Sequence, residues 1–118
     1  KSAEVTVRDL PRQHVVLSPE GAHQHTVVML QPAGGTPMDF LPLLGKLHAF
    51  LPVPIRIVAP CPTHARNSWF EYAGDSNMPS DPDEWFREVH RLEALVRSEI
   101  SLLPNNNPQR VLLAGWSQ

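Results

Sequence analysis

Residues 110–118 have the sequence Arg-Val-Leu-Leu-Ala-Gly-Trp-Ser-Gln, and this stretch decides the predicted fold. The apolar run at 111–114 is typical of a short strand buried on both faces of a parallel sheet. A glycine, an aromatic residue and a serine follow it. In the Gly-x-Ser-x-Gly motif a strand turns sharply into a helix with the serine at the tip, and side chains flanking the turn must be small to avoid collision. Gly115 and Ser117 match the first half of that motif.

Half of the motif leaves two interpretations of Ser117, a nucleophile or an ordinary turn residue. A serine hydroxyl attacks a carbonyl carbon only when a neighbouring base, oriented by a carboxylate, removes its proton. In the fold that carries this motif the acid and the base both follow the serine along the chain. We therefore assign none of the six histidines as the base, because all of them precede Ser117.

The middle of the chain predicts a βαβ unit. Residues 26–30 and 55–59 are mainly apolar runs of strand length, separated by a segment with helical spacing of apolar side chains. Asp39 is the expected N-cap of this helix, and His48 is expected at the boundary of its buried face. The predicted buried stripe consists of Phe40, Leu43, Leu44, Leu47 and Leu51.

Similar sequence patterns predict a hairpin before this βαβ unit and a second helix after it. Residues 5–7 and 14–17 are β-branched runs that suit one or two edge strands in a hairpin. Asp81 is the expected N-cap of a second helix, since Pro82 suits its first position and Glu84 its third. Its predicted buried stripe consists of Trp85, Val89, Leu92, Val96 and Leu103, with Glu93 and Arg97 paired on the solvent side.

Two loops of the predicted sheet have features of a binding site. Residues 31–36 contain the adjacent glycines Gly34 and Gly35, which permit unusual backbone conformations and let a ligand approach main-chain N–H groups. Neither a phosphate-binding loop nor a dinucleotide fingerprint fits their spacing. Residues 60–80 form a long irregular segment in which Trp69, Phe70 and Tyr72 either line an apolar site or pin the loop to the core.

Three of these segments resemble motifs of one enzyme family. Residues 113–118 resemble its Gly-Phe-Ser-Gln-Gly elbow, and residues 67–71 (Asn-Ser-Trp-Phe-Glu) resemble its Ser-Trp-Phe-Asp loop. Residues 28–36 (Val-Met-Leu-Gln-Pro-Ala-Gly-Gly-Thr) occupy the place of its Leu-His-Gly-Leu-Gly-Asp-Thr segment. The order and approximate spacing are also similar. The family is the acyl-protein thioesterase and carboxylesterase branch of the α/β-hydrolases, and the resemblance covers roughly residues 26–118.

The resemblance implies an α/β fold: the N-terminal half of an α/β-hydrolase, forming one partial domain over residues 1–118, with a mostly parallel sheet and helices on both faces. It implies that Ser117 is the nucleophile and that the backbone N–H groups of Ala33 and Gln118 form the oxyanion hole. The expected substrate is an acyl ester or thioester, no cofactor is expected, and the residues expected to border the acyl group are Trp69, Phe70 and Trp116.

The sequence departs from the family in the loop after the first parallel strand. Gln31 and Pro32 replace the usual His-Gly pair, and Gly35 replaces the usual aspartate. Proline has no N–H and restricts the preceding residue to extended conformations, so the departure affects loop geometry and substrate preference. Two alternatives therefore stay open: a non-catalytic binding protein with a hydrolase fold, and a peptidase or dienelactone-type hydrolase.

Composition agrees with a globular domain. Of the 118 residues 42% are hydrophobic and 19% charged, and a net charge of −2 gives no reason to expect nucleic acid or an anionic membrane as partner. The single cysteine excludes an internal disulfide, and no apolar run approaches the ~20 residues of a transmembrane helix. We expect a cytoplasmic protein without a metal, in which His23 and His25 are solvated loop residues.

The strand predicted at 111–114 also indicates that further protein elements pack against this chain. In a hydrolase sheet this strand is central, with further strands pairing beyond it. Residues 1–118 alone would leave it with an open edge and an uncovered apolar face. We therefore expect the remaining half of the hydrolase domain to be supplied by a second chain or by further residues.

Overall fold

The structure is a computed structural model that describes residues 4–9, 13–19, 21–32, 34–62, 68–74, 76 and 78–115, with side chains from Val15 onward. Five strands form one sheet in the spatial order β1-β2-β4-β3-β5. Strands β4, β3 and β5 are parallel, whereas β2 joins β4, and β1 joins β2, in antiparallel orientation. The strands are β1 (Glu4–Asp9), β2 (Gln13–Ser18), β3 (His25–Leu30), β4 (Ile55–Ala59) and β5 (Val111–Gly115).

Two helices, α1 (Leu41–Phe50) and α2 (Pro82–Ser101), cover opposite faces of the sheet. Successive strand residues point to opposite faces, so one strand shows both contacts. Ile57 of β4 packs in the core cluster that contains Leu44 of α1, whereas its neighbour Arg56 pairs with Glu99 of α2. The predicted α/β class, with helices on both faces, is confirmed.

The first helix begins later than predicted. Residues Pro37–Phe40 form a 3-10 turn in which the Asp39 carboxylate accepts a hydrogen bond from the Thr36 N–H at 2.9 Å, so Asp39 is not the N-cap of α1. Leu43 is 56% exposed and lies outside the buried stripe. His48 is buried, and its Nε2 donates to Ile55 O at 2.8 Å. The other residues of the predicted stripe do pack on the core, and His48 lies beside them in place of Leu43.

The second helix begins as predicted, but its predicted stripe is only partly buried: Leu103, just past the end of the helix, is 4% exposed. Asp81 is its N-cap and accepts a hydrogen bond from the Asp83 N–H at 3.0 Å. The predicted core residues Trp85 and Val89 are 37% and 38% exposed. Glu88 and Glu99 are buried instead. Because α2 packs its carboxylates against arginines, the apolar pattern alone misplaced its inner face.

The predicted edge hairpin is confirmed by β1 and β2, but β5 is less buried than its apolar sequence suggested. It pairs only with β3 and forms the other edge of the sheet. Leu112 lies beside Val27 and Leu113 beside Val28, so the two leucines project from opposite faces. They are 62% and 56% exposed. Among the described residues β5 therefore has an unpaired edge and apolar side chains exposed on both of its faces.

A polar cluster connects α2 to the sheet. Arg56 Nε lies 2.8 Å from Glu99 Oε1, and the two side chains are 11% and 3% exposed. A second guanidinium nitrogen lies 3.3 Å from Ser18 Oγ. In such a setting each charge depends on its partner, because an unpaired charge away from water is strongly unfavourable.

We expect Glu99→Gln to lower the free energy of unfolding by about 3 kcal/mol, because it leaves the Arg56 charge buried without a counter-charge. Chemical denaturation measures this change. The matched control is Glu93→Gln, which removes an exposed partner of Arg97, with side chains 75% exposed for Arg97 and 52% for Glu93. It should change stability by no more than about 0.5 kcal/mol. Equal effects of the two substitutions would contradict the importance of the buried pair.

His23 lies near this cluster and is not the solvated loop histidine that the sequence suggested. It is half-buried, and its Nε2 is shielded from solvent with no hydrogen-bond partner among the described residues. Burial lowers the pKa of His23 below its ordinary value of 6.5, the Arg56 guanidinium lowers it further, and Glu99 acts in the opposite direction. The folded state therefore favours the neutral imidazole.

This lowered pKa gives stability a defined pH dependence. Below about pH 6.5 the unfolded chain takes up a proton at His23 more readily than the folded chain, so folding stability falls as pH falls. We expect His23→Gln to lose less stability than the wild type between about pH 7 and pH 5. Denaturation midpoints measured across this range provide the test. Identical pH profiles for the two proteins would contradict a contribution from His23.

Candidate active site at the carboxyl edge of the sheet

The three parallel strands bring the predicted site segments to one edge of the sheet. The register pairs Met29 with Ala114 and Leu30 with Gly115, so β3 and β5 end side by side. The segments that follow them begin at residues 31 and 116. Ligands of open α/β sheets bind outside the carboxyl ends of the strands. The register therefore favours this edge as the reaction site.

The neighbouring strand lies close to the last residue of β5. A Cβ atom at Gly115 would lie 3.1 Å from Leu30 Cβ and 3.4 Å from Leu30 O, which is tighter than ordinary contact. The neighbouring strand thus disfavours a larger side chain two positions before Ser117, which agrees with the small residue of the elbow motif. Residues 116–118 and Ala33 lie outside the described residues. The roles of Ser117, Trp116, Gln118 and Ala33 stay predictions.

The loop after β3 favours glycine at both positions, for different reasons. Gly34 has a φ of +101°, a region that residues with a Cβ rarely adopt. At Gly35 a Cβ would lie only 2.8 Å from the ring of Phe40. The 3-10 turn Pro37–Phe40 therefore packs closely against the loop, and a side chain at position 35 would require the Phe40 ring to move.

Gln31 crosses this loop with its side chain. It is 5% exposed, and its Nε2 donates a hydrogen bond to Gly35 O, four residues further on. The contact joins the two ends of the segment that contains Pro32 and Ala33. Gln31 stands where the family has histidine, so the departure noted in the sequence supplies a buried donor within the loop.

Trp69 contacts the same loop from the segment after β4. It is 5% exposed, and its indole Nε1 donates to Gln31 O at 2.7 Å. Phe70 is half-buried and meets Tyr72 edge-to-face with ring centroids 5.2 Å apart. Of the two interpretations of these aromatic residues, the position of Trp69 favours a pin between loops. The substrate-binding roles of Trp69 and Phe70 stay predictions.

An arginine of α2 holds Trp69 from its other side. The Arg91 guanidinium carbon lies 5.9 Å from the centroid of the Trp69 ring, within the range of a cation–π contact. The same side chain donates to Cys61 O at 3.1 Å and forms an ion pair with the buried Glu88. Sequence analysis missed this group, because charged residues on an amphipathic helix ordinarily face water.

The segment before α2 is ordered in its described part. The Ser80 N–H donates to Glu71 O at 2.7 Å, and the Ala73 N–H donates to Met78 O at 2.8 Å. The Glu71 N–H donates to the Glu84 carboxylate at 3.1 Å, which ties this turn to the first turn of α2. The sequence predicted an irregular segment here, and these bonds show how its backbone groups are satisfied.

Other candidate features lie away from this edge. A cavity of about 220 Å³ is lined by His25, Ile55, Arg110 and Leu112, among others, at the opposite ends of the strands. His25 begins β3 and is half-buried, which corrects its prediction as a solvated loop residue. Within the described residues no group of three or more His, Cys, Asp or Glu side chains could hold a metal ion. None of the described helices is long and apolar enough to cross a membrane.

Comparison with known proteins supports the α/β fold. No protein-family model matches the sequence, and no curated protein matches it. The structure is similar to that of Zea mays acyl-protein thioesterase 2, with a TM-score of 0.61 and 23% sequence identity. The match covers 88% of this chain and 46% of the thioesterase chain. The chain thus shares its α/β fold with part of a hydrolase.

Proposed function

We propose that this chain is part of a serine hydrolase that cleaves thioester or carboxylic ester bonds. The observation that carries the proposal is the register of β3 and β5, which pairs Leu30 with Gly115. It starts the Gly-x-Ser segment beside the loop that contains Gly34 and Gly35. Similarity to the fold of an acyl-protein thioesterase supports the choice of an acyl substrate.

In the proposed reaction, Ser117 Oγ attacks the carbonyl carbon while a base takes its proton. The carbonyl oxygen becomes negatively charged, and the N–H groups of Ala33 and Gln118 donate hydrogen bonds to it. Each such donor typically contributes about 3 kcal/mol at the transition state. Collapse of the intermediate breaks the bond to the leaving thiolate or alkoxide, which receives the proton. Water, activated by the same base, then hydrolyses the acyl-enzyme.

The base and its carboxylate partner are proposed to come from the remaining half of the hydrolase domain. Two observations support this partner. The matched region is 46% of the thioesterase chain, which leaves more than half of that protein without a counterpart here. The exposed leucines of β5, Leu112 and Leu113, offer an apolar surface for further elements. A non-catalytic binding protein is the second candidate, and Gln31-Pro32 in place of His-Gly favours it.

Fluorophosphonate labelling tests the nucleophile. In the protein that carries the rest of the domain, we expect the reagent to add one phosphonyl group at Ser117, detected as a mass shift. Ser117→Ala should abolish the shift and lower esterase kcat by a factor of about 10³ or more. The matched control is Ser101→Ala, at an exposed position near the end of α2. An unlabelled wild-type protein would support the binding-protein candidate instead.

Substitution of the β5 leucines tests the proposed partner. Leu113 and Leu43 are both 56% exposed in the structure, so residues 1–118 alone predict similar effects for the two positions. If the rest of the domain covers β5, Leu113→Asp buries a charge and should destabilise the complete protein by about 3 kcal/mol or more. Leu43→Asp should change the unfolding free energy much less. Equal, small effects in chemical denaturation would contradict the proposed covering of β5.

A further inference from the structure

Two hydrogen bonds brace the loop that follows β3. The Gln31 side-chain amide donates to Gly35 O, and the Trp69 indole Nε1 donates to Gln31 O at 2.7 Å. Gln31 and Trp69 are each 5% exposed. Loss of the indole donor would leave the buried Gln31 O without this partner, and loss of the amide donor would leave the half-buried Gly35 O without its own. The bonds act in series, because Trp69 fixes the backbone of the residue whose side chain spans the loop.

The orientation of the indole is itself fixed by α2. Arg91 lies over the Trp69 ring at 5.9 Å and donates to Cys61 O at 3.1 Å, just beyond the end of β4. The buried Glu88 carboxylate pairs with Arg91 and neutralises its charge. The chain of contacts thus runs from α2 through Trp69 to Gln31. These contacts connect α2 to the loop at the carboxyl edge of the sheet.

We propose that Trp69 and Gln31 are positioning residues for the backbone donor at Ala33, and that Trp69 acts through Gln31 and not by contact with the acyl group. This inference rests on the proposed function. The ends of the brace, Gln31 and Gly35, lie two residues before and after Ala33. An oxyanion hole requires donors fixed before the negative charge develops. A tryptophan that is 5% exposed has little surface to offer a substrate, whereas its N–H is well placed to fix this loop.

Trp69→Phe tests the assignment in the complete protein. Phenylalanine keeps a six-membered aromatic ring beside Arg91 but lacks the five-membered ring of the indole and its N–H donor. We expect kcat for ester hydrolysis to fall by about 10- to 100-fold with KM unchanged within about twofold, because only the transition state needs the positioned donor. Fluorophosphonate labelling should slow by a similar factor. The matched control, Trp85→Phe, changes a residue that is 37% exposed and should leave both values unchanged.

A second variant and a spectroscopic readout keep the inference testable if Trp69→Phe fails to fold. Gln31→Met preserves side-chain length but lacks the amide, and we expect it to lower kcat to a similar extent. In ¹H–¹⁵N spectra of the wild type, the Trp69 indole N–H should exchange with solvent more slowly than that of Trp85. Rapid exchange at Trp69 would overturn the brace whether or not the protein is active.

The outcomes separate this inference from the proposed function. A wild type that labels at Ser117, with wild-type kcat in both Trp69→Phe and Gln31→Met, overturns the positioning role and leaves the hydrolase proposal intact. A change confined to KM in Trp69→Phe overturns it in favour of direct substrate contact. A wild type that does not label overturns the proposed function, and this assignment with it.

Discussion

The parallel pairing of β3 with β5 is the constraint on which the rest of the structure depends. It places Leu30 beside Gly115, where a Cβ atom would lie 3.1 Å from Leu30 Cβ, so the register favours a residue without a side chain at position 115. The pairing therefore determines where the Gly-x-Ser segment begins. It also determines that this segment begins beside the loop that follows β3. A shift by one residue would turn each β5 side chain to the opposite face. The small residue at the end of the strand is thus a consequence of the register.

Buried charge, and not apolar burial alone, positions α2. Glu99 binds Arg56 of the sheet, and Glu88 binds Arg91, which in turn contacts Trp69. Buried ion pairs contribute less to net stability than well-packed apolar groups, but they tolerate few alternative arrangements. The two glutamates therefore act more as geometric constraints on the helix than as sources of stability. Desolvation of these glutamates costs free energy. Their ion pairs with Arg56 and Arg91 offset part of that cost and hold α2 against the sheet and Trp69.

The sequence predicted the elements well because backbone patterns are local. Apolar runs identified β3, β4 and β5, and the Asp81-Pro82 pair identified the start of α2. The inner faces of the helices were predicted less well. His48 and Glu88 are buried because each finds a specific partner, Ile55 O for the histidine and Arg91 for the glutamate. Ile55 O becomes a partner of His48 only in the folded arrangement. Arg91 lies three residues after Glu88 on the same helix, but the contacts that turn this pair inward, with Cys61 O and the Trp69 ring, are tertiary, and no periodic pattern reveals them.

Gln31 shows how a departure from a family motif can preserve a physical requirement. The family has a histidine at this position, and a histidine ring gains a charge near neutral pH. A glutamine amide is neutral at every pH and offers two donors on a longer side chain. Its length allows it to reach Gly35 O across the loop, while Trp69 satisfies its own backbone carbonyl. Because Pro32 cannot donate a backbone hydrogen bond, the loop depends on these side-chain donors for its shape. The Gln31-Pro32 sequence is therefore compatible with a loop of fixed geometry when the Trp69 and Gln31 hydrogen bonds are both present.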